Sequence, residues 1–233
     1  MDYLKEQKYC STVNLMKRFK VSPATIHRDI SELAKKKLIR KVSGGVTLMP
    51  KDDAVFPVNS HILDRIKKNV SQKEILAELA LPYIENDDII FLDSSTTAFF
   101  LARKIQKLKL ASLTIITNSV HIIQEFCLFP PQFVLLGLGG NYNSHLNSLL
   151  GRGAIEGLQR LQIGKAFLSA VGATKSGVTT YHEGHGDFLE KVLSLSKRKY
   201  LLLDGSKFNH IGLFKFAELC DFDTVFFDRK PPN

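Results

Sequence analysis

Four short apolar segments in the larger, C-terminal part of the chain are each followed by residues that could bind an anion. Residues 93–97 read Asp-Ser-Ser-Thr-Thr and stand directly before a helical pattern. Hydroxyl and backbone N–H groups at the start of a helix form a cradle that suits phosphate. Asn118, the pair Gly139 and Gly140, and Lys207 follow three further segments. Helix caps or tight loops explain each group taken alone, but the four together favour a pocket for a polar ligand that carries phosphate.

The segment at residues 22–37 has the composition of a helix that reads DNA. Ser22 can cap this helix, and Pro23 suits its first position because the missing N–H costs nothing there. At about 100° per residue the apolar side chains form one line, and the opposite face is small, polar and basic. Such a face suits insertion into the major groove. The apolar line is Ile26, Ile30 and Leu33, and the opposite face is Ala24, Arg28, Ser31 and Lys35, flanked by Thr25 and His27.

Residues 38–47 alternate apolar and polar side chains around Gly44 and Gly45, which predicts a short hairpin with a tight turn. A helix followed by a basic hairpin is typical of the winged helix-turn-helix. Residues 1–50 hold eleven Lys and Arg against four Asp and Glu, a net charge of +7 out of the chain's +9. Because phosphate neutralisation supplies most non-specific affinity for DNA, we predict that this segment binds DNA. The plainer alternative is that the lysine run at 35–37 is a solvated helix end.

The elements that must position the strand-end residues begin near residue 69. Six short apolar runs alternate there with helical patterns, and buried parallel strands have this composition. The alternation predicts a doubly wound parallel sheet, in which ligands bind at the carboxyl ends of the strands. The anion-binding candidates all fall at that edge. The predicted strands are 88–92, 113–117, 133–138, 166–171, 200–203 and 224–227, and the predicted helices lie near 71–82, 96–107, 119–126, 147–161, 186–197 and 213–219.

We therefore predict an α/β chain of two domains joined by a connector. Residues 1–50 form the winged helix-turn-helix, residues 51–68 the connector, and residues 69–233 a Rossmann-like effector domain with a parallel sheet. The first domain should begin with a helix of about two turns at 2–9, followed by a second at 12–19. The second helix offers four side chains to the core: Val13, Leu15, Met16 and Phe19.

Cysteine usage and hydropathy bear on the compartment. Cys10, Cys127 and Cys220 are odd in number and widely separated, which predicts a reducing compartment and no disulfide framework. The N-terminus has no apolar stretch of the kind found in signal peptides, and no run approaches the ~18 apolar residues of a membrane span. We expect a cytoplasmic protein without a membrane partner.

The order of these motifs resembles the DeoR family of bacterial regulators of sugar metabolism. The chain carries Val-Ser-x-x-Thr-Ile-x-Arg-Asp-Ile from residue 21, Asp-Ser-x-Thr-Thr from 93, Thr-Asn-Ser from 117 and Asp-x-Ser-Lys-Phe from 204, together with two Gly-Gly pairs. The match covers nearly the whole chain. It implies a winged helix followed by an effector domain similar to ribose-5-phosphate isomerase and glucosamine-6-phosphate deaminase. Members typically repress sugar-catabolic operons, are released by a phosphorylated sugar and act as homodimers or homotetramers.

The resemblance also implies which residues contact each partner. Double-stranded operator DNA would be contacted from the helix by Ser22, Thr25, His27 and Arg28, and from the wing by Arg40, Lys41, Gly44 and Gly45. The phosphorylated sugar effector would be surrounded by Asp93, Ser95, Thr96, Thr97, Asn118, Gly139, Gly140 and Lys207. Two positions depart from the family: it usually has Arg in place of His27 and Gly in place of Ser95.

Residues 182–187 read His-Glu-Gly-His-Gly-Asp and contain side chains that a metal ion could use. The glycines favour instead a mobile loop that closes over the sugar, and Asp187 suits a helix N-terminus. We predict no metal, no cofactor and no catalytic residue, and expect a regulator rather than an enzyme. Two alternatives stay open. One is a sugar-phosphate isomerase or deaminase with Asp93 as general base and Lys207 as electrostatic stabiliser; the other is an activator of transcription.

Overall fold

The chain divides into two compact units, Met1–Val55 and Phe56–Asn233. The computed structural model describes residues 9–35, 39–42, 45–48 and 62–229. The predicted helix at 2–9 lies outside these residues except for Tyr9, and the predicted connector at 51–68 lies outside them up to residue 61.

The described part of the N-terminal unit contains two helices and three strands. They are β1 (Tyr9–Ser11), α1 (Thr12–Phe19), α2 (Pro23–Lys35), β2 (Ile39–Val42) and β3 (Gly45–Leu48). β3 pairs antiparallel with both β1 and β2, and Val42 faces Gly45 across the hairpin. The predicted recognition helix and wing hairpin are therefore present. Tyr9, predicted to end a helix, instead begins β1, because its backbone pairs with Thr47 of the wing.

The helix α2 buries the side that its sequence pattern predicts. Ile26 and Ile30 are buried, and Leu33 is half-buried against the same small core. These positions recur every three to four residues, so they form one stripe on the helix. The opposite face of α2 stays exposed to solvent at His27 and Arg28.

The helix α1 contributes less to this core than its sequence suggests. Ser11 caps it by accepting the N–H of Asn14 at 3.1 Å, and Leu15 is buried. Val13 and Phe19 were expected in the core, but each is 53% exposed. They occupy the first and last turns of an eight-residue helix, where the small core does not cover them.

The C-terminal unit is built on a sheet of six parallel strands within the described residues. The strands of this unit are β4 (Ile89–Leu92), β5 (Leu113–Thr117), β6 (Phe133–Gly137), β7 (Asn141–Asn143), β8 (Ser148–Leu150), β9 (Ile163–Ser169), β10 (Gly172–Thr174), β11 (Gly177–Thr180), β12 (Ser196–Leu203), β13 (Phe214–Ala217) and β14 (Thr224–Phe227). The six-stranded sheet has the order β14-β12-β9-β4-β5-β6. It contains all six of the strands that the apolar runs predict.

Helices cover both faces of this sheet. They are α3 (Ile62–Lys67), α4 (Val70–Ala80), α5 (Thr96–Ile105), α6 (Val120–Glu125), α7 (Arg152–Leu158) and α8 (Glu183–Leu195). Leu76 of α4 and Leu101 of α5 share one core with Ile90, whereas Phe188 of α8 shares a second core with Phe91. Neighbouring residues of a strand point to opposite faces, so the sheet is doubly wound as predicted. Among the described helices, none is long and apolar enough to cross a membrane.

The prediction of a helix at 213–219 is wrong. These residues form β13, which pairs antiparallel with β11 in a small sheet of order β10-β11-β13. Phe216 is buried and Lys215 is exposed, which is the two-residue alternation of a strand. The partner strand lies more than thirty residues earlier in the chain, so local sequence did not reveal it.

The predicted helix at 147–161 is also partly wrong, because it begins as a strand. β7 and β8 form an antiparallel hairpin, and α7 starts only after Gly151. Asn147 and Gly151 both have positive φ, at 55° and 90°, which breaks a helix on either side of β8. The hairpin is anchored to the end of β5, since Ser148 forms a bridge with Ser119.

Candidate functional site

The ligand-binding edge of the sheet lies where β4 and β9 are neighbours. From β4 the chain continues through β5 and β6 on one side, whereas β9, β12 and β14 extend on the other. The loops that leave β4 and β9 therefore diverge, and a crevice for ligands opens at such a point in parallel sheets. Asp93 follows β4 directly, and Ser169 is the last residue of β9. We refer to this place as the crevice.

Asp93 is fully buried at the crevice. Its Oδ1 accepts the N–H of Ser95 at 2.9 Å, and its Oδ2 accepts the N–H of Ser169 at 2.9 Å. Burial raises the pKa of the Asp93 carboxyl, while these hydrogen bonds and the charge of Lys207 act to lower it. The two carboxylate oxygens of Asp93 thus accept backbone N–H groups on opposite sides of the crevice.

Lys207 brings a positive charge to the same place. Its Nζ donates to Ser169 Oγ at 2.7 Å and lies 3.8 Å from Asp204 Oδ2. Only 13% of its side-chain surface is exposed. Burial lowers the pKa of the Lys207 amine, and the carboxylates of Asp204 and Asp93 oppose that shift. The structure therefore brings two of the predicted site residues together, with Ser169 as their shared neighbour.

Asp204, which the sequence analysis did not select, positions Lys207 from the same loop. Its Oδ1 accepts the N–H of Ser206 at 3.0 Å and the Nδ2 of Asn69 at 3.3 Å. Burial alone would raise the pKa of Asp204, but Lys207 and the hydrogen bonds from Ser206 outweigh it and lower the pKa. Asn69 Nδ2 also lies 3.0 Å from Ser206 Oγ, so the loop after β12 is fastened to the start of α4.

The helix α5 begins directly after Asp93 and its neighbours. Ser95 caps it, because its Oγ accepts the N–H of Ala98 at 3.0 Å. Thr96 and Thr97 take the first two helical positions and are buried, and Thr97 Oγ1 has no hydrogen-bond partner among the described residues. The first N–H groups of a helix carry partial positive charge and lack carbonyl partners within it. This is the arrangement on which the prediction of an anion cradle rests.

Asn118 has a structural task that the sequence did not show. Its Nδ2 donates to Ser148 Oγ at 2.7 Å, and its backbone carbonyl accepts the N–H of Leu149 at 2.9 Å. The side chain therefore ties the end of β5 to the hairpin of β7 and β8. Its Oδ1 is buried and has no partner in the part of the chain that the structure describes, so one acceptor is left over.

The two glycines after β6 differ in what they require. Gly140 has φ +135°, and a Cβ there would lie 2.5 Å from the carbonyl oxygen of Leu150. The β7–β8 hairpin therefore requires glycine at residue 140. At Gly139 no heavy atom of the described ranges lies within 4 Å of the Cβ position. Contact of either glycine with an effector stays a prediction.

Arg65 of α3 is a cation that the sequence analysis missed. Its Nη2 donates to the backbone carbonyl of His145 at 2.9 Å. Its charge acts to lower the pKa of Lys207, and the charge of Asp93 in turn acts on Arg65. Burial lowers the pKa of the Arg65 guanidinium, and Asp93 opposes that shift. Arg65 therefore belongs to the electrostatic surroundings of the crevice.

Lys73 of α4 was missed as well, although one signal was available. It is 4% exposed, and its Nζ donates to the carbonyl of Arg65 at 2.5 Å and to the carbonyl of Lys68. Burial and the charge of Lys207 lower the pKa of Lys73 to about 8. The signal is its position: Lys73 stands three residues before Leu76, on the buried stripe of α4, where charged residues are rare.

Residues 182–187 begin α8 rather than forming a loop. His182 stands at the N-cap position, and no side chain caps the helix there. Glu183 and Asp187 are exposed, whereas His185 in the first turn is buried. In the described ranges, no cluster of His, Cys, Asp and Glu is arranged to hold a metal ion.

The predicted DNA-reading face lies on α2. Ser22 Oγ accepts the N–H of Thr25 at 3.2 Å, which caps the helix, and hydrogen-bonds to Thr25 Oγ1 at 2.9 Å. His27 and Arg28 are exposed on the outer face. Arg40 and Lys41 lie in β2 and Gly45 begins β3, but Gly44 and the side chains of Arg40 and Lys41 lie outside the described part of the structure.

Relatives with similar sequences span nearly the whole chain. The L-fucose operon activator of Haemophilus influenzae is 28% identical over 100% of this chain and 91% of its own length. The HTH-type transcriptional regulator IolR of Bacillus subtilis is 31% identical, over 93% of this chain and 83% of that protein. The glycerol-3-phosphate regulon repressor of Escherichia coli is 26% identical, over 100% and 89%.

Solved structures resemble the C-terminal unit in fold. A crystal structure of eIF2B delta from Chaetomium thermophilum aligns with a TM-score of 0.50 and 11% identity, over 70% of this chain and 58% of that one. A D-ribose-5-phosphate isomerase in complex with phospho-erythronic acid aligns with a TM-score of 0.42 and 16% identity, over 60% of this chain. The chain spans about half of that isomerase, 54% of its length.

Family profiles match both units of the chain. The DeoR-like helix-turn-helix domain matches residues 1–51, and the DeoR C terminal sensor domain matches residues 68–229. The sensor profile alone covers more than half of the chain, and it contains the crevice with Asp93 and Lys207. On these matches, the chain belongs to the DeoR family of transcriptional regulators.

Proposed function

We propose that this regulator is a DNA-binding repressor of a sugar-catabolic operon, and that a phosphorylated sugar bound in the crevice releases it from its operator. Support comes from the two family matches and from the relatives, which include a glycerol-3-phosphate regulon repressor. A relative named as an operon activator makes activation the alternative outcome. Because the operator is chromosomal DNA, the proposal places the protein in the cytoplasm.

The observation that carries the proposal is the balance of charge at the crevice. Three cations, Arg65, Lys73 and Lys207, stand against two carboxylates, Asp93 and Asp204. Taking charges out of water is costly unless they are paired, so an excess of positive charge at a site that is largely shielded from solvent favours binding of an anion. A phosphate group supplies that anion, and the first N–H groups of α5 add further donors.

Uncharged acceptors complete the proposed effector site. Thr97 Oγ1 and Asn118 Oδ1 are both buried and lack partners among the described residues, which favours a ligand that carries hydroxyl groups. The residues proposed to contact the effector are Asp93, Ser95, Thr96, Thr97, Asn118, Gly139, Gly140 and Lys207, joined by Arg65 and Lys73. The residues proposed to contact operator DNA are Ser22, Thr25, His27, Arg28, Arg40, Lys41, Gly44 and Gly45.

The geometry of Asp93 favours a regulatory over an enzymatic role for the crevice. A general base must come within hydrogen-bond reach of the proton it removes, and Asp93 is fully buried. Both oxygens of Asp93 accept backbone N–H groups at 2.9 Å. We therefore propose that Asp93 shapes the site and that no sugar-phosphate isomerase or deaminase activity accompanies binding.

An effector can release DNA only if it binds more tightly to one conformation than to another. We propose that α3 conveys this difference, because it lies within the predicted connector at 51–68 and carries Arg65, whose charge acts at the crevice. We further propose that the protein acts as a homodimer or homotetramer, as members of the family typically do. A symmetric operator with two half-sites would then match the two-fold symmetry of the protein.

A DNA-binding titration tests the proposal. The full chain should retard the DNA fragment upstream of its own gene at low salt, and one of a panel of sugar phosphates should reverse this. Arg28→Ala should weaken operator binding by about 1–3 kcal/mol if Arg28 contacts a base, without changing effector affinity. Lys207→Ala should bind the operator normally and lose the response to sugar phosphate.

Two exposed cations of the C-terminal unit provide matched controls. Arg160→Ala should leave operator binding unchanged, and Lys197→Ala should keep the response to effector. Absence of retardation by the wild-type chain would refute the DNA-binding proposal. A normal response in Lys207→Ala would refute the placement of the effector in the crevice.

A further inference from the structure

His185 is a buried polar residue that the proposed phosphate site does not use. It lies in the first turn of α8 and is 9% exposed. Its Nδ1 lies 3.2 Å from Thr180 Oγ1, whereas its Nε2 is buried without a hydrogen-bond partner among the described residues. An unpaired buried polar group costs about 1–3 kcal/mol. That cost calls for an explanation in structure or in function.

The charge state of His185 limits what its Nε2 can bind. Burial, together with the nearby His182 and Arg65, lowers the pKa of His185 to about 4. The ring is therefore neutral at neutral pH, with one nitrogen as donor and the other as acceptor. Thr180 engages Nδ1, which leaves Nε2 free for one further hydrogen bond, as donor or as acceptor.

The surroundings of His185 connect it to the crevice. The helix α8 leads directly into the parallel strand β12, so its N-terminal turn lies at the carboxyl edge of the sheet. Phe188, one turn after His185, lies 6.0 Å from the ring of Phe91, two residues before Asp93 in the chain. The charge of Arg65 acts on both His185 and Lys207. The N-terminus of α8 has no side-chain cap at His182. At Gly184 no heavy atom of the described residues lies within 4 Å of the Cβ position. The first turn of α8 therefore has open space beside this residue.

We propose that His185 determines the specificity of the effector site by hydrogen-bonding, through Nε2, to a hydroxyl or carbonyl oxygen on the part of the sugar remote from its phosphate. This inference rests on the proposed function, because it places a sugar phosphate in the crevice. It narrows the effector to a sugar monophosphate whose far end is polar and uncharged. Since Nε2 is buried, we expect the turn at 182–184 to shift when the ligand binds.

A neutral imidazole favours this ligand class for a physical reason. A second phosphate or a carboxylate gains most from a cationic partner, which His185 is not at neutral pH. A site built to hydrogen-bond an oxygen rejects analogues that lack it, because its own polar group is then left unpaired. His185 would thus make the site bind some sugar phosphates more tightly than others and more tightly than inorganic phosphate.

Calorimetric titration of the full-length chain tests the inference. The variants are His185→Leu, which removes the nitrogen, His185→Gln, which keeps a polar end, and Glu190→Gln, an exposed control on the same helix. The probes are inorganic phosphate, glucose 6-phosphate, fructose 6-phosphate, fructose 1-phosphate and glycerol 3-phosphate. We expect His185→Leu to bind the tightest sugar phosphate of the wild type about tenfold more weakly. We expect a smaller loss in His185→Gln, none in Glu190→Gln, and unchanged affinity for inorganic phosphate throughout.

The possible failures can be told apart. Wild-type affinity of His185→Leu for the tightest sugar phosphate would overturn the inference and leave the proposed function intact. Equal losses for inorganic phosphate and sugar phosphate, with a lower melting temperature in both His185 variants, would assign His185 a structural role and also overturn it. A wild-type chain that binds sugar phosphates no more tightly than inorganic phosphate would refute the proposed function, and the inference with it.

Discussion

At the scale of single residues, Lys73 shows how a charged side chain can be accommodated on the buried face of a helix. Its Nζ donates to the carbonyl of Arg65 in the last turn of α3 and to that of Lys68 just beyond it, where carbonyls lack the N–H groups of a further helical turn. The same ammonium lies 5.5 Å from the centre of the Phe100 ring, a cation–π distance. Lys73 therefore caps α3 and fixes the backbone from which Arg65 extends.

At the same scale, His185 should make stability depend on pH. Its pKa falls from 6.5 to about 4 on folding, so between these values the unfolded chain binds more protons than the folded one. The free energy of unfolding should consequently fall as pH decreases from 6.5 towards 4, by an amount on the order of 2–3 kcal/mol from this residue. Urea unfolding of the wild type and of His185→Leu at pH 7 and pH 4.5 measures the effect.

The comparison of the two proteins isolates His185 from other groups that titrate in this range. His185→Leu should lose less stability between the two pH values than the wild type. Equal losses would show that His185 does not remain neutral in the folded chain.

Among the elements, the β7–β8 hairpin depends on one glycine. Gly140→Ala would place a Cβ 2.5 Å from the carbonyl oxygen of Leu150 in a conformation with φ +135°. Strain of this kind costs about 1–3 kcal/mol. We expect the urea midpoint of Gly140→Ala to fall with little change in slope.

Gly139→Ala is the matched control for this prediction, because its Cβ position has no neighbour within 4 Å. It should unfold at nearly the wild-type midpoint. If the two variants were equally stable, the hairpin would not require glycine at residue 140.

The elements also show what could be predicted from sequence and what could not. The apolar runs predicted all six parallel strands, because buried strands need no partner information to be recognised. β13 was mistaken for a helix, since its pairing with β11 is a long-range contact. Asp93 was predicted because it follows β4 directly, and Lys207 because it stands in the loop after β12. Arg65 and Lys73 were missed because they come from helices that precede the first strand of the sheet, and only packing brings them to the crevice.

At the scale of the whole molecule, effector binding and operator binding should be thermodynamically coupled if the effector releases the DNA. A coupling free energy between sites is reciprocal, so an effector that weakens operator binding tenfold must itself bind about tenfold more weakly to the operator complex. Titration of the tightest sugar phosphate into the free chain and into the chain saturated with operator DNA measures both affinities. For the wild type, we expect the ratio of the two effector affinities to equal the factor by which the effector weakens operator binding.

Arg28→Ala at DNA concentrations too low for it to bind provides the control, and should show effector affinity independent of the DNA. Equal effector affinities for the free and operator-bound wild type would mean that the sugar phosphate does not control release. In that case the crevice would serve another purpose than regulation of DNA binding.

The hydrogen bonds of Asp93 have a consequence for size selection. One short side chain joins the N–H of Ser95, beyond β4, to the N–H of Ser169, at the end of β9. At that point the opening cannot widen unless a hydrogen bond to a charged group breaks, at a cost of about 1.5–3 kcal/mol. Asp93 therefore acts as a spacer of fixed length. In the proposed complex, the effector group beside these strand ends would have to fit the separation that Asp93 maintains, whether or not it touches the carboxylate.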